Sequence, residues 1–411
     1  MLLSRQARDL LKEIETLPVI DAHEHLPPEA EYLAHGYCGP NLFSGGYIWH
    51  DLESAGMSST FKATLRDGGD RPIDQWWPQI RPYWEQVKQT SYCRALRITA
   101  RDLYGIEEIN DETVGRLAEC VKADNQPGLY KRILCDRCGI EHAITIAASG
   151  AVIDEAPLKS LVMLPCLSLA GGMAIDDLAG RMGCDIQSVD DLLGAAESAV
   201  RQDLRAGALG FKMGVGPYGP ADADAARSEF EHARGGDDEG TPNLARLLFD
   251  RYMAVAAEAD VPVAVHTGYW GDFRKLDPKL MLDFVFRHAN VRFDLFHLGN
   301  PMIRDSILIG KSLPNVTLNL CWCSVISQMQ TRRALDEIFD MVPINKVIAF
   351  GADYRVSVQK AYGHLVMARE TVAAALADRV DAGDISAVRA VAIARQWFYD
   401  NPVRIYGLSG R

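Results

Sequence analysis

The chain has 411 residues, 48% hydrophobic and 24% charged, with 34 Gly and 19 Pro, a globular composition that excludes disordered, collagen-like and low-complexity classes. Acidic side chains number 55 against 43 basic ones, for a formal charge of −12, and no Lys/Arg-rich run stands out, so nucleic acid is not an expected partner. The nine cysteines are scattered and odd in number, which argues against a secreted disulfide framework.

In chain order, the first residues read as a charged amphipathic helix. It runs into a short apolar strand, Pro18-Val19-Ile20-Asp21-Ala22-His23, too apolar for a surface element. The start lacks the apolar stretch of a signal peptide, and no window reaches the roughly 18 apolar residues of a membrane span. A cytoplasmic protein without a membrane partner is expected. Residues 27–140 read as an aromatic-rich, helical insertion after strand one, with Trp76, Trp77, Tyr83 and Trp84 close together and a helix over 91–104.

Strand-like runs at 143–147, 161–169, 209–215, 261–267, 291–297, 316–323 and 347–353 then alternate with helical patterns. With the first strand they make eight, and the alternation implies βα units. Their mostly apolar character suits parallel strands covered on both faces. An open doubly wound sheet would alternate in the same way, so the residues ending the runs decide. His23, His25, Lys212, His266, His297 and Asp353 stand at or near such ends, and groups so far apart in sequence share one face only if the sheet closes. The expectation is a (β/α)8 barrel, one domain over residues 1–411, completed by two helices over 357–406. The Gly-rich stretch 235–240 reads as an exposed loop tip.

His23-Glu24-His25 carries the first chemical signal. Histidines at i and i+2 of an extended chain point to the same side and can share one ion. Asp353 ends an apolar run, where a buried carboxylate is costly without a cation or donors; the competing role is an N-cap for the next helix. A lone core histidine is usually structural, but His266 and His297 end successive runs, each before a glycine turn, and are read as functional. His364 has no such context. Cys135 and Cys138 form a C-x-x-C without a second pair at zinc-ribbon spacing, where a helix end enters a strand, and are read as free thiols. The literal G-x-G-x-x-G at 214–219 is interrupted by Pro217 and followed by Pro220, so it reads as a turn rather than a dinucleotide site.

In order and spacing these residues resemble the amidohydrolase superfamily, with His-x-His on strand one, His on strands five and six, and Asp on strand eight. The opening Pro18–Pro28, the Trp-rich insertion and Asp353-Tyr354-Arg355 are similar to uronate isomerases. His297 instead matches the hydrolytic and decarboxylating branches. The resemblance implies a metal-dependent hydrolase of a small molecule with an amide, lactone or related bond. His23, His25 and Asp353 would hold one divalent ion, most simply Zn2+, with His266 a further ligand, and the ion would lower the pKa of water toward about 7. His297 would polarise the substrate oxygen and Asp353 would shuttle the proton. Arg355, Tyr269, Trp270, Trp322 and Lys212 would face the substrate, Arg355 suiting a carboxylate through its fork. A second ion is implied if Lys212 is carboxylated. Alternatives are aldose–ketose isomerisation of a uronate, non-oxidative decarboxylation on the same ligands, and a non-catalytic binding protein. The insertion also offers surface for homo-oligomer formation.

Overall fold

Eight strands follow one another in chain order across one sheet: β1 (Val19–Glu24), β2 (Ile140–Ala147), β3 (Leu158–Met163), β4 (Phe211–Gly214), β5 (Pro262–His266), β6 (Arg292–Phe296), β7 (Val316–Asn319) and β8 (Val347–Ile348). A two-residue strand, Asp154–Glu155, pairs with β3 off this path. The computed structural model describes residues 3–45, 47–61, 71–165, 175–216, 218–234, 241–269 and 271–408. The expected loop tip at 235–240 and part of the run expected at 161–169 therefore lie outside the described residues, as does Trp270. β1 pairs parallel with β2, and β3 through β7 pair parallel in succession.

The other edge of β1 meets the last strand segment. Ala22 N donates to Phe350 O (3.2 Å), Asp353 N to His23 O (2.8 Å) and His25 N to Tyr354 O (3.1 Å). These bonds return the chain's end to its first strand, and the fold is a (β/α)8 barrel, as expected. No helix among the described residues is long and apolar enough to cross a membrane.

Chain contacts divide the protein into two compact units. The first comprises Met1–Thr145, Glu155–Leu158 and Leu320–Pro402. Its opening helix, Arg5–Glu15, is capped by Ser4, whose Oγ accepts from Ala7 N at 3.1 Å. Ala7, Leu10 and Ile14 form the buried stripe, spaced three and four apart as one helix face requires, and Leu10 and Ile14 each contribute about 1.5–3 kcal/mol by leaving water. That face packs on the 22-residue helix Lys360–Asp381. Helix Ser91–Tyr104 crosses the same long helix at Gly363, where an added Cβ would stand 2.0 Å from Ala95 O.

The insertion belongs to this unit, and its tryptophans are structural. Phe43 meets Trp84 edge-on with ring centroids 5.4 Å apart, Trp84 Nε1 donates to Ile109 O and Trp77 Nε1 to Asp111 Oδ1. The insertion is tied to the segment after Asp353. Val358 N donates to Tyr32 Oη, Ser357 Oγ to Asn41 O, and the buried Lys360 Nζ to Leu42 O and Gly45 O.

The second unit comprises Ile146–Asp154, Lys159–Asn319 and Val403–Arg411. Phe211, Met213, Val263, Val265, Phe293, Leu295 and Val316 alternate along its strands and pack with Leu244, Leu248, Phe249, Tyr252 and Phe284 from its helices. The intervening positions form rows across the sheet: Lys212, Ala264, Asp294 and Thr317, then Gly214, His266, Phe296 and Asn319. The strands read as apolar runs because one face is fully apolar, while the opposite face carries the polar groups.

The expected strand runs differ from the observed ones at their ends, the run at 161–169 beginning at Leu158 and ending at Met163, and three expected spans differ for reasons local to them. The run 316–323 leaves the sheet at Asn319, because Trp322 takes a left-handed backbone (φ 66) and Cys323–Ile326 forms a helical turn. The run 347–353 is regular strand only over Val347–Ile348; beyond it the Ala349 N–H goes to Trp397 O, and isolated bonds such as Asp353 N to His23 O keep the segment against β1. The two expected C-terminal helices are Lys360–Asp381 and Ala387–Arg395, continued by a π-helical turn, Gln396–Asp400, and Asn401–Ile405.

Candidate metal centre

In the first unit, β1 is buried along its whole length and delivers two imidazoles to one carboxylate. His23 Nε2 lies 3.3 Å and His25 Nε2 3.2 Å from the same oxygen, Asp353 Oδ1. Their rings are edge-to-face with centroids 4.8 Å apart. The His23 side chain is 1% exposed and that of His25 41%, so one imidazole fixes the back of the site and the other opens to solvent. Asp353 is not the N-cap of a helix; the next one starts at Lys360 with Gln359 before it. It holds a left-handed backbone (φ 58), an uncommon state that Asp tolerates better than most residues. Burial alone would push its carboxyl up, but the neighbouring histidines outweigh that and hold it well below the usual range. Two imidazole nitrogens and an ionised oxygen directed at one point form a donor set that fits a divalent ion.

Behind the pair sit two more acids. Asp21 Oδ1 accepts from His23 N (3.2 Å) and Ala352 N (3.0 Å), and Glu24 Oε2 accepts from Tyr354 N (2.6 Å). The two carboxyl groups lie close enough to influence each other's ionisation, and neighbouring acids of this kind do not both ionise readily. Burial pushes Asp21 up to about 7 and Glu24 well above the carboxylate range. Asp21 and Glu24 thus brace both β1 and the Ala352–Tyr354 backbone, holding the segments that carry His23 and Asp353 together.

Cys321 and His364 were not singled out by the sequence. The Sγ of Cys321, a nitrogen of His23 and a carboxylate oxygen of Asp353 all lie within 4.8 Å of one another. Buried His364 bonds to the Ala352 backbone, and burial lowers its pKa to about 3, so it is a neutral ring at physiological pH. Only closure of the barrel reveals either residue, although Cys321 lies within an expected strand run.

The expected substrate residues are placed unequally. Arg355 is exposed, two positions beyond Asp353, and bonds to the Tyr37 hydroxyl of the insertion. Trp322 is 2% exposed, packed edge-on to Tyr47 (4.9 Å) and Tyr354 (5.1 Å), with Nε1 donating to Tyr92 Oη. It therefore forms a wall rather than a free surface. Cys138 of the C-x-x-C is buried, and burial pushes its thiol up.

In the second unit, His266 ends β5 and His297 follows β6. His297 Nε2 lies 3.2 Å from His266 Nδ1, so one ring donates to the other. His297 and Leu298 both have positive φ, a bend that lifts His297 off the strand. Gly268 makes room beside it: an added Cβ there would stand 2.3 Å from Gly299 C. Tyr269 is half-buried, its N–H donated to Asn300 O at 2.6 Å. Lys212 is 2% exposed with Nζ 3.8 Å from the Phe296 ring centroid. Burial pushes its neighbour Asp294 up to about 6, against the pull of Tyr406, Asn319 and Lys212.

Comparison with known proteins agrees with this architecture. Solved structures align over nearly the whole chain. A uronate isomerase from Thermotoga maritima gives a TM-score of 0.80 at 16% identity, covering 98% of each chain. A glucuronate isomerase from Caulobacter crescentus gives 0.77 at 16% identity, covering 99% of this chain and 94% of its own. A Lactobacillus casei protein, provisionally assigned as a metal-dependent hydrolase, gives 0.64 at 15% identity with 97% of each chain covered. At these identities the likeness shows the fold. No curated protein matches the sequence. The family model described as Amidohydrolase matches residues 185–408, more than half of the chain, and the protein belongs to the amidohydrolase family.

Proposed function

We propose that the protein is a metal-dependent enzyme that hydrolyses a small, carboxylate-bearing substrate, with one divalent ion held by His23, His25 and Asp353. The observation that carries this reading is the convergence of both histidine Nε2 atoms on Asp353 Oδ1. Imidazole and carboxylate donors suit zinc. A bound ion supplies Lewis acidity and makes water acidic enough to ionise near neutral pH.

The chain's own groups do the rest. Asp353, held ionised, accepts the proton of the attacking water and returns it to the leaving group. Exposed Arg355, steadied by Tyr37, offers a fork for the substrate carboxylate. The roles of His266 as a further ligand and His297 as the donor to the substrate oxygen rest on their strand-end positions, and His297→Asn, which keeps a donor, tests the latter. A single ion is the simpler reading, since Lys212 Nζ stands 3.8 Å from the Phe296 ring centroid, a placement that suits an ammonium; carboxylation of Lys212 would instead allow a second ion.

A second reading, aldose–ketose isomerisation of a uronate, is favoured by full-length similarity to two uronate-converting enzymes, insertion included. Incubation with glucuronate and galacturonate, beside a panel of lactones and N-acyl amino acids, separates the two by mass. Hydrolysis adds one water to the substrate, whereas isomerisation leaves the mass unchanged. Turnover of neither set would contradict both readings.

A further inference from the structure

We propose that Cys321 is a further ligand of this centre, so that the ion is held by a sulfur as well as by two imidazoles and a carboxylate. The inference deepens the proposed metal reading and rests on it.

Cys321 lies two residues beyond the end of β7 and is fully buried. Its backbone is pinned on both sides, by Leu320 N donating to Ile348 O (2.9 Å) and Trp322 N to Gly351 O (3.1 Å). Its Sγ shares a 4.8 Å cluster with ligand atoms of His23 and Asp353; His25 lies outside that cluster but reaches the same Asp353 oxygen at 3.2 Å. Gly351 makes the approach feasible. A Cβ there would stand 2.9 Å from Cys321 Cβ, 3.0 Å from its Sγ and 3.1 Å from His23 Cβ. Any side chain at 351 would push the thiol and the imidazole away from their present positions, so the glycine serves the cluster rather than backbone flexibility.

The thiolate is the binding form of cysteine, so coordination releases the Sγ proton to solvent. A mixed sulfur, nitrogen and oxygen set favours zinc, cobalt or cadmium over magnesium, calcium or manganese, which prefer oxygen. The metal class thus follows from one residue that the His-x-His pattern does not include.

The full-length protein, stripped of metal and titrated with Co(II), tests this. Wild type is expected to take up cobalt with visible d–d bands and a near-ultraviolet thiolate-to-cobalt charge-transfer band. Cys321→Ser should lose the charge-transfer band, and Cys321→Ala gives a second reading should the serine variant fold poorly. X-ray absorption of the zinc-loaded wild type provides a check without mutation, expected to show one sulfur at about 2.3 Å beside nitrogen and oxygen at about 2.0–2.2 Å. Cobalt bound without the charge-transfer band, a band that survives in both variants, or a zinc shell of nitrogen and oxygen alone would overturn the role of Cys321 while leaving the metal site intact. Failure of wild type to bind cobalt or zinc would instead overturn the metal reading, and this inference with it.

Discussion

Asp353 Oδ1 lies 3.3 Å from His23 Nε2, although the two residues stand near opposite ends of the chain. Backbone bonds between the same segments place them there, with Asp353 N donating to His23 O at 2.8 Å. The backbone bonds that close the barrel therefore also bring these two side chains together, and variants that separate charge from backbone geometry are informative.

Asp353→Asn removes the negative charge while keeping a residue type that tolerates the left-handed backbone. The variant should fold, with a melting temperature close to wild type. It should bind zinc more weakly by more than the roughly 10- to 100-fold lost when a group hydrogen-bonded to a ligand is removed. Calorimetric titration measures this, and wild-type affinity in a folded variant would remove Asp353 from the ligand set.

Gly363→Ala should destabilise the protein although alanine is the better helix former by about 1 kcal/mol. The new Cβ would stand 2.0 Å from Ala95 O and 2.7 Å from Thr99 Oγ1, and overpacking of this kind costs about 1–3 kcal/mol. A lowered thermal midpoint is the expected result; an unchanged or raised one would show that the two helices are free to separate.

Lys360 links stability to pH. Burial lowers its pKa from 10.5 to about 7, so the folded state disfavours the charged form. Its contribution is fully present above the unfolded value of 10.5 and is lost as pH falls through about 7. Between those values wild-type stability should rise with pH relative to Lys360→Met, which lacks the titration. Parallel stability profiles of the two proteins across that window would contradict the assignment.

Much of this was legible in the sequence because it depends on local periodicity. The i, i+2 spacing of His23 and His25 fixes a common side for the two rings, and alternation of strand and helix patterns with strand-end ionisable groups gives a closed barrel. Helix 91–104 was read at its observed limits. The insertion's tryptophans were visible, but their burial as a cluster was not. What escaped depends on partners distant in sequence. Cys321 gains meaning only beside Gly351 and His23, and the raised Asp21 and Glu24 only in the dry interior behind them. His364 looked contextless until the long helix placed it against Ala352. The run ending at 323 overextends because nothing local announces that Trp322 will adopt a positive φ among Tyr47, Tyr92 and Tyr354.

The central claim is that His23, His25 and Asp353 hold a metal ion, and metal analysis of protein purified without chelator tests it most directly. Wild type should carry about one divalent ion per chain, and a folded His23→Ala/His25→Ala variant should carry almost none. Equal metal content in the two proteins would contradict the account.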